Sequence, residues 1–222
     1  EVLDYYLRLD KYLMTFIQRV DELVGLNNTV FALSADHGVG PLPEYLRSIG
    51  IDSERMDRND FKKRVKKIEA WSENTIKYYG DGFYFPDEYI GKQKADAFAM
   101  IADTFSDVKA IDTVLTRDEI YASLGNDSFS RRLRNMIHPE KSPDVIMVLK
   151  EYYSKRSPLG VTHGTPYDYD THVPIVFSHK SFKSQKITRA VATVDIAPTI
   201  ARLVGAEIPM EVDGNVLEEI FK

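Results

Sequence analysis

Apolar residues near the N-terminus recur at helical spacing: Leu13, Phe16, Ile17, Val20, Leu23 and Val24. Such a stripe predicts an amphipathic helix, and Gly25 with Asn27-Asn28 predicts its end. The pattern then changes to an unbroken apolar run, Thr29-Val30-Phe31-Ala32-Leu33, which reads as a buried strand. Ser34-Ala35-Asp36-His37-Gly38 follows it as a loop, with Pro41 close behind. A helix feeding directly into a buried strand belongs to an α/β sheet, where ligands gather beyond the carboxyl ends of the strands. The Asp-His pair stands at such an end.

Residues from about 45 to 142 follow another pattern. A helix near Asp60 to Trp71 turns Phe61, Val65 and Ile68 one way, and Lys62-Lys63-Arg64 and Lys66-Lys67 toward solvent. Ile76 to Tyr79 and Phe83 to Phe85, separated by Gly80-Asp81-Gly82, predict a hairpin. Phe98, Ile101, Ala102 and Phe105 predict a helix, and Ala110 to Leu115 a strand. Asp144 to Leu149 then returns to the continuous apolar pattern of a central strand, as does Ile175-Val176-Phe177. Asp195, Pro198 and Gly205 are placed to cap, enter and end a last helix. The predicted fold is therefore α/β. A largely parallel central sheet flanked by helices is built from residues 1–44 and 143–222, and a small α+β subdomain, residues 45–142, is inserted into it.

At 222 residues and 43% hydrophobic, the chain can bury a core of that size. Its net charge of -5 argues against a nucleic-acid-binding surface. No apolar run approaches the roughly 20 residues that span a bilayer. Cysteine is absent, which removes disulfides, thiolate metal sites and a cysteine nucleophile. The chain opens on Glu1-Val2-Leu3-Asp4 and passes straight into a helix. That opening predicts a fragment of a longer protein, with any signal peptide lost along with the missing part.

Asp36 and His37 offer a hard oxygen and an imidazole in one loop, a pair that zinc accepts. Side chains of adjacent residues in a strand point to opposite faces, so the pair can converge only because Gly38 and Pro41 end the strand. A second loop, Thr162-His163-Gly164-Thr165-Pro166-Tyr167-Asp168-Tyr169-Asp170-Thr171-His172-Val173-Pro174, supplies a further imidazole at His163. An Asp here also serves simply as a cap, and a His as a hydrogen-bonded loop residue. His172 is read as supporting the strand or the ligands rather than binding the ion. Asp168 and Asp170 are read as acceptors that order the loop, and His138 and His179 as surface residues.

Together with Thr193-Val194-Asp195-Ile196-Ala197-Pro198-Thr199, these motifs resemble the alkaline phosphatase superfamily. The resemblance is to bacterial alkaline phosphatases related to nucleotide pyrophosphatase/phosphodiesterases. The opening Asp4-Tyr5-Tyr6-Leu7-Arg8-Leu9-Asp10 is similar to the helix after another metal motif of that family. The resemblance implies a two-zinc hydrolase of phosphate monoesters that works through a covalent phospho-enzyme. Asp36 and His37 would bind the zinc that also holds the nucleophile, and His163 would bind the other. The family's Thr or Ser nucleophile, its first Asp ligand and a second Asp/His pair lie N-terminal to the matched region. The chain alone is therefore expected to be inactive and, with a sheet edge exposed, to self-associate. Family members are commonly exported, so a periplasmic or secreted parent is expected. Sulfatases of the superfamily usually carry Lys at the place of His163 and bind one calcium, so the imidazole favours zinc. The alternative functions are a nucleotide pyrophosphatase/phosphodiesterase and a non-catalytic binding module on the same fold.

Overall fold

The structure, a computed structural model, describes residues 1–80, 82–122, 124–155 and 159–221. Its elements begin with helix α1 (Val2–Leu23), strand β1 (Phe31–Leu33) and helices α2 (Pro43–Ser48) and α3 (Arg58–Trp71). Strands β2 (Lys77–Tyr79) and β3 (Gly82–Tyr84) precede helix α4 (Lys92–Phe105) and strand β4 (Ile111–Thr116). Helices α5 (Arg117–Ala122) and α6 (Ser128–Asn135) lead to strand β5 (Val145–Leu149). Helix α7 (Asp168–Thr171), strand β6 (Val176–Ser178) and helix α8 (Ile196–Val204) complete the order. The chain divides into two units, residues 1–36 with 173–222 and residues 37–172.

In the first unit β1 and β6 pair antiparallel, with Phe31 opposite Ser178 and Leu33 opposite Val176. The Phe16 ring of α1 meets Phe31 edge-on at 6.4 Å. Most of the α1 stripe, Phe16, Leu13, Ile17, Leu23 and Val24, is exposed, and Val20 is half-buried. Near the other end, Asp195 and Thr199 are buried and hold the chain on both sides of α8.

The second unit is built on a four-stranded antiparallel sheet in the order β2-β3-β5-β4. The hairpin is present, with Lys77 opposite Tyr84 and Tyr79 opposite Gly82. Asp81, central to its turn, lies outside the described residues. Glycine is required at 82, because a Cβ there would come within 2.3 Å of the Val145 carbonyl oxygen. On one face of β5, Val145, Met147 and Leu149 pack with Ile68 of α3, Phe83 of β3 and Ile101 and Phe105 of α4. On the other face, Ile146 and Val148 pack with Ile120 of α5 and Leu133 of α6. Each fully buried side chain of this kind contributes about 1.5–3 kcal/mol. Asp57 caps α3 by accepting from the amides of Asn59 and Asp60, and Asp127 caps α6 by accepting from Ser130.

Strand direction departs from the expected parallel sheet. Among the described residues the ladders are antiparallel, and the parallel contact is an isolated bridge between Arg55 and Ser154. The continuous apolar run of β5 reflects helices on both faces of an antiparallel sheet, which demands the same unbroken pattern as a parallel one. The same burial explains a second departure. The sequence assigns Asp144 to Leu149 to the sheet of the outer segments, whereas β5 pairs with β3 and β4.

Candidate metal centre

His37 follows β1 by four residues, and Gly38 fixes where its loop runs. The Gly38 amide donates to the Asp170 carbonyl at 2.7 Å. A Cβ on Gly38 would stand 2.0 Å from the Tyr169 carbonyl oxygen, so the two backbones approach as only glycine permits. His37 is half-buried, and its Nδ1 lies 2.6 Å from the Gly38 carbonyl. A carbonyl only accepts, so Nδ1 is the donor in this contact.

The second loop reaches the first through Asp170. Asp170 Oδ2 accepts from both the amide and the hydroxyl of Thr165, at 2.8 and 2.7 Å. Gly164, at φ +93°, lets the chain turn between Thr165 and His163. The outcome is a stack: the rings of His37 and His163 lie 3.5 Å apart, centroid to centroid, and 7° from parallel.

Tyrosines anchor this loop to the sheet. The Tyr167 hydroxyl donates to the Leu149 carbonyl at the end of β5, at 2.8 Å, and its ring meets Phe129 of α6 at 5.5 Å. Tyr169 meets Tyr167 at 5.8 Å and Tyr152 at 5.4 Å. Burial pushes the Tyr167 and Tyr169 phenols above their usual range, so both serve as neutral groups. Asp168 pairs with Arg132 of α6 at 2.6 Å. Beside the loop is a cavity of about 270 Å³, with Leu133, Met136, Ile146 and Val148 on its apolar walls and His163 among its lining residues.

Of the residues expected to bind metal, the structure therefore brings His37 and His163 together. Asp36 is exposed and is the last residue of the first unit, immediately before His37 in the chain. His172 is exposed, and its amide closes α7 on the Asp168 carbonyl at 2.9 Å. His138 is also exposed. His179 is half-buried, bonding Ser181 and the Asn27 carbonyl at 2.7 and 3.0 Å. Asp168 and Asp170 order the loop, as their sequence setting suggests. The links of this loop to Arg132 and Phe129 on α6 escape sequence reasoning, because that helix is short and mostly polar.

The donor chemistry fits zinc, which takes imidazole nitrogens readily. Nitrogen lone pairs lie in the ring planes, and parallel stacked rings cannot aim them at one shared point. Were metal bound, each ring would hold its own ion through an in-plane nitrogen. Among the described residues no three His, Asp or Glu side chains gather as a complete metal site.

The sequence pattern of the type I phosphodiesterase / nucleotide pyrophosphatase family matches residues 1–172. The whole chain is 29% identical to alkaline phosphatase PafA of Elizabethkingia meningoseptica, covering 42% of that protein. It is 27% identical to alkaline phosphatase PhoV of Synechococcus elongatus, of which it covers 41%. The crystal structure of wild-type PafA superimposes on the full chain with a TM-score of 0.86 at 25% identity. The fold is thus an alkaline-phosphatase-like α/β fold, and the chain spans about two fifths of the length of the curated relatives it matches. The chain belongs to the type I phosphodiesterase / nucleotide pyrophosphatase family.

Proposed function

We propose that this chain is part of a zinc-dependent phosphatase that hydrolyses phosphate monoesters through a covalent phospho-enzyme. The observation that carries this reading is the His37–His163 stack, two imidazoles from distant loops held face to face. In the proposal Asp36 and His37 contribute to one zinc and His163 to the other, and the nucleophile comes from outside this chain. Zinc, when bound, supplies Lewis acidity to the phosphoryl oxygens. The protein's own part is to hold each basic nitrogen in place. The Gly38 carbonyl accepts from His37 Nδ1, and the Thr165–Asp170 bonds fix the loop that carries His163. Similarity to alkaline phosphatases along the whole chain favours monoesters, and the family pattern over residues 1–172 keeps diesters as the second reading. The chain by itself is proposed to be inactive and to self-associate.

The test is hydrolysis of aryl monoester and diester substrates by the complete protein, with its zinc content measured alongside. Zinc-dependent monoester turnover, abolished by a chelator and by His163→Ala, is the expected result. Faster diester turnover would move the protein to the phosphodiesterase reading with the same metal assignment. A folded protein with neither zinc nor turnover would overturn the proposal.

A further inference from the structure

Asp170 touches both histidine loops. It is 4% exposed, and its carbonyl accepts from Gly38, the residue after His37. Its Oδ2 accepts twice from Thr165, two residues after His163. Its other oxygen, Oδ1, is buried without a hydrogen-bond partner among the described residues. A buried carboxylate oxygen with no donor costs stability, so economy of folding alone does not account for the group. We infer that Asp170 is the positioning residue of the centre: its side chain clasps the His163 loop through Thr165, while its backbone holds the His37 loop. The two imidazoles are therefore stacked by one residue of the His163 loop that reaches across to the His37 loop.

The clasp acts through hydrogen-bond acceptance. Asp170→Asn keeps an oxygen that can accept both Thr165 bonds, whereas Asp170→Ala keeps none. The functional consequence rests on the zinc reading above; the stacking itself does not. Two measurements on the complete protein separate them. In zinc-free protein, the mutual ring-current shift of His37 and His163 reports the stack by NMR. Competition with a chromophoric chelator reports zinc affinity.

Asp170→Ala is expected to erase the ring-current shift and to weaken zinc binding about 10–100-fold, the usual loss when a group supporting a metal ligand is removed. Asp170→Asn is expected to restore both nearly to the wild-type level. Thr165→Ala, which removes the hydroxyl bond but keeps the amide bond, should fall between them and serves if Asp170→Ala does not fold. Unchanged stacking in Asp170→Ala would overturn the inference; if that variant does not fold, unchanged stacking in Thr165→Ala would do so. Equal loss in the Asn variant would overturn it as well, because charge rather than acceptance would then be at work. A wild-type protein that shows the stack but takes up no zinc would refute the zinc reading and leave the positioning role to be decided by the NMR arm.

Discussion

The carboxylate of Asp195 accepts the backbone amide of Asn215 at 2.8 Å, joining the start of α8 to a segment twenty residues downstream. Its other oxygen takes the Ala192 amide at 2.9 Å. One turn on, the Thr199 hydroxyl donates to the Asp195 carbonyl at 2.6 Å and accepts from the Leu217 amide at 2.9 Å. The Asp-Ile-Ala-Pro-Thr run is thus a clamp on the C-terminal segment. Asp195 does not cap α8 with its side chain, although the sequence suggests that it should.

Asp195→Ala should therefore cost about 2–3 kcal/mol of stability, from two amides losing a carboxylate acceptor. Thr199→Val should cost about 1–2 kcal/mol, because its hydroxyl both donates and accepts. Urea denaturation of each variant checks this. Zinc uptake by the folded protein should be unchanged in both, and a variant that loses zinc at full stability would contradict the assignment.

The sequence made legible the parts governed by local pattern. The periodic stripe of α1, the Asp-His loop after β1, the hairpin around Gly80 and the apolar run of β5 all stand close to where reading placed them. Strand direction was not legible, since β5 would look the same in any sheet covered on both faces. Helix α6 escaped because it is short and polar, although Phe129, Leu133 and Ile137 at four-residue spacing with Asp127 ahead were its signal. The motifs named Asp36, His37 and His163, and the structure brings the rings of His37 and His163 together. The stacking of their rings depends on a backbone approach at Gly38 and a clasp at Asp170, long-range contacts that leave no periodic trace in a sequence.

Gly38→Ala tests that approach. The added methyl cannot coexist with the Tyr169 carbonyl, so the His37 loop must shift by about an ångström or more. Displacement of that size in a catalytic constellation costs on the order of 10²-fold in rate. On the phosphatase reading proposed above, the complete protein should lose that much in kcat, with lowered zinc content. An alanine variant with normal zinc and turnover would show that the loop tolerates another path.

Acid stability should carry the signature of Glu44. Its carboxylate receives two bonds from Arg55, at 2.7 and 2.8 Å, and that guanidinium brings its pKa down to about 2. In the unfolded chain the group titrates near the ordinary value of about 4.3. Its contribution is present above that value and is lost as pH falls toward the folded pKa, because the unfolded state takes up the proton first. Glu44→Gln should flatten the dependence of the urea midpoint on pH between about 4.3 and 2. The effect should shrink in high salt, since the Glu44 carboxylate is exposed although Arg55 is largely covered. Identical acid profiles for the two proteins would refute it.

At the alkaline end the sign reverses, and Tyr167 is the group to watch. Burial holds its phenol above the ordinary value of about 10, while the unfolded chain releases the proton there. The contribution of Tyr167 should be flat below that pH and decline above it, as the unfolded state loses a proton that the folded state keeps. Tyr167→Phe removes this term and with it the donor to the Leu149 carbonyl. The variant should be less stable by about 1 kcal/mol at neutral pH, yet its stability should fall less steeply than wild type above pH of about 10. Denaturation curves at neutral pH and in the alkaline limb measure both effects. A parallel alkaline decline in the two proteins would mean that Tyr167 ionises as readily folded as unfolded, and that the ring anchoring the His163 loop is open to water.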